Sequence, residues 1–170
     1  TPEQKVVRFF LSEPTSAFPS RVIASRLKGV RGLGGADGIA KILTRLQALG
    51  LVDIVDNGRG ARLRDDAGPV RVLKTIAAVC ELGDLSRTLA PICSRLILYG
   101  SHADGLATTT SRYEIMVVTS QGNDVRRIVE GHPQSKRIEV VTRTNDEYLE
   151  MDRKETSFFA RISRGVSLWP

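Results

Sequence analysis

The charged side chains of this chain are unevenly spread, and that spread limits what they can do. Residues 1–64 carry eleven Lys and Arg against five Asp and Glu, whereas residues 65–170 carry fourteen of each. The whole +6 excess therefore sits in the first part, where a polyanion is the natural partner. Further along, Arg112 and Glu114 stand two residues apart at the start of an apolar run, and a second acid, Glu139, interrupts the run "RIEVV". Period-two geometry turns Arg112 and Glu114 toward one face of a strand, where they can meet each other or an anion. Cys80 and Cys93 form no Cys-x-x-Cys pair and the chain has two histidines, His102 and His132, so no structural zinc site can be assembled. Both cysteines are expected in the core and both histidines at the surface.

The elements that must carry the N-terminal cations follow from periodicity. Val6, Val7, Phe10 and Leu11 lie on one helical face, and Pro14 stops the run. Ser20 is the expected N-cap of a second helix containing Val22, Ile23 and Leu27. After the Gly-rich stretch 29–35, a third helix carries Ile39, Ile42, Leu43, Leu46 and Leu49 on one stripe and ends at Gly50. Strand-like runs at 51–55 and 61–64 then flank Asn57-Gly58, whose residue types tolerate positive φ in a tight turn.

Asp65 to Pro69 has the turn-forming composition of a boundary. Beyond it, Val70, Leu73, Ile76, Ala77 and Cys80 repeat at helical spacing, and 85–90 predicts a further short helix. Short strands are expected at 96–99, 113–119 and 137–142, with a helix at 123–131 between the last two. A closing helix from about 146 to 164 would turn Leu149, Phe158, Phe159 and Ile162 inward, and Trp169 is expected in the core. This pattern predicts an α+β chain whose C-terminal part is a small mixed sheet of three or four strands backed by helices.

Three helices followed by a hairpin is the order of a winged helix-turn-helix, and residues 3–64 resemble that family, most closely in "IAKILTRLQALGLVDIVDNGRGARLR". The resemblance implies double-stranded DNA as partner and a regulator of transcription, commonly a two-fold homodimer. The third helix would enter the major groove with Lys41, Thr44 and Arg45, and the wing would contribute Arg59, Arg62 and Arg64. Such domains also serve as protein-docking modules, and the cations are equally compatible with a solvated face.

The segment "YGSHADGLATTTSRYEIMVV" and the closing "FFARISRGVSLW" resemble the minimal nucleotidyltransferases of the polymerase-beta-like superfamily over residues 94–169. Gly100, Ser101, Gly105 and Ser111 fall on that family's pattern, while Arg112 replaces its first Asp and Glu114 its second. The resemblance implies a nucleotide or anion site at Gly100, Ser101, Gly105, Ser111 and Arg112. Ser101, Glu114 and Glu139 would be the catalytic candidates, with Glu114 and Glu139 holding Mg²⁺. A cation at a metal-ligand position opposes two-metal chemistry. Arg112 is left to pair with Glu114 or Glu139, to meet a phosphate, or to point to solvent. The expected role is a ligand sensor or dimerisation unit, the alternative an active nucleotidyltransferase acting on a protein or small acceptor.

Composition fits a folded chain, at 41% hydrophobic and 26% charged residues. No apolar run reaches the ~18 residues of a membrane span, and Glu3, Lys5 and Arg8 occupy the place of a leader's apolar stretch. A cytoplasmic protein without membrane contact is expected. Its parts would be a winged helix at 1–66, a linker and connecting helices at 67–93, and the nucleotidyltransferase-like domain at 94–170.

Overall fold

The computed structural model describes residues 1–169 and divides the chain into two compact units, Thr1–Leu73 and Lys74–Pro170. The architecture is mixed, with eight α-helices, one three-stranded and one four-stranded sheet among the described residues. None of these helices is long and apolar enough to cross a membrane.

In the first unit, α1 (Pro2–Ser12) is opened by a capping box in which the Thr1 hydroxyl accepts from the Gln4 amide. The chain then forms β1 (Ala17–Pro19), α2 (Ser20–Arg26), α3 (Gly35–Ala48), β2 (Val52–Val55) and β3 (Gly60–Leu63). The strands are antiparallel in the order β1-β3-β2. Val6, Phe10, Ile23, Ile39, Leu43, Val52, Ala61 and Leu63 fill the core between helices and sheet. Phe9 and Phe18 meet edge to face, fastening α1 to β1.

Two expectations are corrected here. Ser20 does not cap α2: Pro19, paired with Gly60 at the end of β1, stays extended in the cap position, and Ser20 is the first helical residue. Leu49 does not belong to the buried stripe, being 67% exposed. The helix stops at Ala48, where Gly50 takes φ +71° and the amides of Gly50 and Leu51 return to the carbonyls of Gln47 and Leu46. This Schellman turn swings Leu49 outward and aims the chain into β2.

The division between units falls inside α4 (Gly68–Glu81). Its buried residues are Val70, Lys74 and Ala78, spaced by four, which leaves Ile76 and Cys80 exposed, contrary to the expected stripe. After α5 (Gly83–Leu89) come β4 (Arg95–Tyr99), β5 (Tyr113–Val118), α6 (Gly122–Glu130), β6 (Ile138–Arg143), α7 (Asn145–Lys154), α8 (Thr156–Ser163) and β7 (Val166–Trp169). The sheet order is β6-β5-β4-β7, with β5 and β6 parallel across the α6 crossover and the other pairs antiparallel. Alternation along the strands feeds two cores. Leu96, Leu98, Tyr113, Ile115 and Val117 pack with Leu85, Leu89, Val125 and Val129; Ile97, Tyr99, Met116 and Val118 pack with Met151 and Ile162.

The expected closing helix is two helices. Glu155 leaves the helical region at φ −133°, and the restart shifts the phase of the inward face. Met151 therefore points in and Leu149 is 74% exposed. Trp169, at the end of edge strand β7, is also exposed, at 46%.

Candidate functional site

In the first unit, Ile39, Ile42, Leu43 and Leu46 bury one side of α3 and thereby turn Asp37, Ala40, Lys41, Thr44 and Arg45 to solvent. Arg45 donates to Glu3 on α1 at 3.1 Å, and the Thr44 hydroxyl donates back to the Ala40 carbonyl. The β2–β3 turn supplies the other cations. Arg62 alternates with buried Ala61 and Leu63, so it points away from the core as the strand period requires. Asp53, its cross-strand partner, faces it at 3.6 Å and accepts from Arg64 Nε and Nη2 at 3.0 and 2.9 Å. Arg45, Arg62 and Arg64 are thus partly neutralised. Lys41 and Arg59 have no ion-pair partner among the described residues.

The turn itself is tightly wound, with Asp56, Asn57 and Gly58 all at positive φ. Such conformations cost energy in non-glycine residues, and the residue that follows, Arg59, lines a groove of about 690 Å³. The groove runs between this turn, α2 and the first turn of α3, and Arg21, Asp37, Ala40, Asp56 and Arg59 are among its lining residues. Sequence reasoning missed Arg21 and Asp37. Arg21 follows Ser20 at the beginning of α2, and nothing in its spacing ties it to a turn nearly forty residues later.

In the second unit, the cross-strand register brings Tyr99 opposite Glu114 and Glu114 opposite Glu139. Arg112 stands 3.9 Å from Glu139, and Glu114 accepts from Arg161 of α8 at 2.6 Å. The Arg161 guanidinium also lies 5.4 Å from the centroid of the Tyr99 ring, whose hydroxyl pKa is pushed up by burial and by the Glu114 charge. Gly100 turns at φ +71° beneath the Glu114 carboxylate, and Gly105 at φ +68° closes the loop. Ser101 is half-buried in this loop, its carbonyl accepting from the Leu106 amide. The Ser111 hydroxyl accepts from the Thr108 amide at 2.9 Å, so it serves its own turn.

Mg²⁺ does not fit these residues. The two carboxylates in register each face a guanidinium, and no three His, Cys, Asp or Glu side chains among the described residues converge where a metal could sit. Sequence reasoning found Arg112 and both acids but missed Arg161, which lies 47 residues from its partner.

His102, expected at the surface, is buried. The turn after β4 folds its imidazole onto the Tyr113 ring, with centroids 4.0 Å apart and planes at 22°. Its Nε2 lies 3.5 Å from the Ser111 carbonyl, and burial holds its pKa below the ordinary histidine value. Tyr113 donates its hydroxyl to Glu81, and the Arg137 guanidinium stands 5.2 Å from its ring centroid. Burial and the Glu81 bond push the Tyr113 hydroxyl well above the usual phenol range. His132 is half-buried and accepts from the Gln134 amide at 3.2 Å.

No protein-family model matches this chain, and no curated protein matches it at a significant level.

Proposed function

We propose that the N-terminal unit is a winged helix that binds double-stranded DNA, and that the chain acts as a regulator of transcription. The element order α1-β1-α2-α3-β2-β3 supports this reading, because the short β1 completes the sheet that a wing extends. The observation that carries it is the exposed polar face of α3, which carries Lys41 and Thr44 and whose Asp37 and Ala40 share a groove with Arg59 of the turn, a cation with no ionic partner among the described residues. Cations of this kind supply affinity through phosphate contacts and counterion release.

Equilibrium binding of the full chain to a duplex, measured across salt, tests it. The log-log slope is expected near −0.9 per phosphate contact. Changing Lys41, Arg45, Arg59, Arg62 and Arg64 together to Ala should abolish retention on DNA at low salt. Unchanged retention would overturn the proposal.

For the C-terminal unit we infer a nucleotidyltransferase-like fold without transfer chemistry, serving in sensing or dimerisation. The Arg161 bond to Glu114 and the Arg112 guanidinium 3.9 Å from Glu139 support this, since a cation beside each carboxylate opposes a metal there. Incubation with labelled ATP and Mg²⁺ should leave every acceptor unlabelled, and transfer of label would overturn the inference.

A further inference from the structure

The exposed face of α3, which borders the groove at the β2–β3 turn through Asp37 and Ala40, carries a combination of residues that a general polyanion surface would not need. Asp37, Ala40, Lys41 and Thr44 stand at i, i+3, i+4 and i+7 of α3, all exposed, and so form one stripe opposite the buried leucines and isoleucines. The stripe offers an acceptor, a methyl group, a cation and a hydroxyl in order. Those are complements of different base edges in the major groove, whereas a surface built for phosphate alone would carry cations throughout. Asp37 and Ala40 line the groove together with Arg21 and Arg59, which come from separate elements, α2 and the turn. Neither arginine has an ion-pair partner among the described residues.

We propose that Asp37 is a base-reading residue that selects cytosine, with Arg21 and Arg59 holding the flanking phosphates; this rests on the DNA-binding reading above. A carboxylate accepts hydrogen bonds and donates none. In the major groove, cytosine presents the N4 amino group as a donor, guanine presents only the N7 and O6 acceptors, and thymine presents O4. Adenine offers its N6 amino group beside the N7 acceptor, which repels a carboxylate. Cytosine is the base that satisfies Asp37 without an opposing lone pair. The position also suits the task, because residues in the first turn of a recognition helix are those that reach base edges. An acid in that turn interacts favourably with the helix dipole as well, but that effect carries no base preference.

The test is selection from a randomised duplex pool by the full wild-type chain and by Asp37→Asn, with Arg21→Ala as the phosphate control. Asn pairs with the N6 and N7 of adenine. Wild type should enrich a site containing one cytosine that Asp37→Asn replaces by adenine, with a change in preference on the order of tenfold to a hundredfold and the other positions unchanged. Arg21→Ala should enrich the same site as wild type, bind it more weakly, and lose about 0.9 from the salt slope. A motif that Asp37→Asn leaves unaltered, or duplex binding with no sequence preference, overturns the base-reading role while the DNA-binding reading stands. Absence of any duplex retention by all three proteins overturns both. Circular dichroism of Asp37→Asn checks that α3 is intact, and Asp37→Glu, which keeps the acceptor, should keep the preference for cytosine.

Discussion

Gly100 lies directly beneath Glu114: a Cβ at residue 100 would overlap the Glu114 Oε2, while the other carboxylate oxygen accepts from Arg161 at 2.6 Å. The close approach joins the loop after β4 to α8 through a single side chain. Gly100 also sits at φ +71°, where any other residue is strained. Gly100→Ala is therefore expected to destabilise the chain by about 1–3 kcal/mol, measured by urea unfolding. Part of that cost comes from displacing the carboxylate from Arg161, so the same substitution should cost less in a Glu114→Ala background. Equal costs in both backgrounds would mean that the carboxylate swings aside freely and that backbone strain is the whole effect.

Gly38 presents a harder obstacle. An added Cβ would overlap the carbonyl oxygen of Leu33, which is backbone and cannot rotate away as a carboxylate can. Leu33 is buried in the first core, so shifting its carbonyl disturbs the packing of α3 against the rest of that unit. Gly38→Ala, a change that favours an isolated helix, should here cost about 1–3 kcal/mol. A stabilised Gly38→Ala protein in thermal unfolding would contradict this contact.

The sequence announces these features unequally. The apolar stripe of α3 was legible because four burying positions repeat within one uninterrupted helix. β1 was not: three residues ending in Pro19 carry no period, and only pairing with β3 makes them a strand. The break at Glu155 has neither Gly nor Pro to announce it, although the capping box from Thr144 to Glu147 does mark where α7 begins. Glu114 could be placed from strand alternation and Glu139 from the family resemblance, whereas Arg161 became the partner of Glu114 through the packing of α8, which spacing along the chain does not encode. Lys74 and His102 are buried against the usual preference of their residue types, and composition gives no sign of it.

Burial of His102 has a consequence for acid stability. Its pKa is depressed by desolvation, with the Lys74 and Arg137 charges acting in the same direction and Glu81 and the Ser111 carbonyl opposing them. The unfolded chain's imidazole takes up its proton near 6.5, so below that pH the unfolded state binds a proton that the folded state refuses. Stability contributed by the neutral imidazole is complete above this value and is lost as pH falls below it, with a slope of at most about 1.4 kcal/mol per pH unit. Urea midpoints between pH 7 and pH 5 should fall more steeply for wild type than for His102→Gln, and parallel profiles would show that His102 protonates without penalty.

Asp53 restrains two cations of the β2–β3 hairpin, Arg62 and Arg64, and its removal yields the least intuitive outcome. It accepts both bonds from Arg64 and faces Arg62 across the strand pair. All three side chains are partly exposed, so the ion pairs themselves contribute little to folding, on the order of 0–1 kcal/mol each. Held by Asp53, however, the arginines carry a compensating negative charge toward any phosphate they approach. Asp53→Ala removes that charge and leaves both guanidinium groups available. On the DNA-binding reading, the variant should bind a duplex more tightly than wild type despite a small loss of stability, and its salt slope should steepen by up to about 0.9 for each arginine that gains a phosphate. Asp53→Asn, which keeps the acceptor but loses the charge, should fall between the two. Fluorescence anisotropy titrations over a range of salt give both quantities, and an Asp53→Ala protein with unchanged slope would assign Arg62 and Arg64 to the stability of the hairpin instead of to DNA.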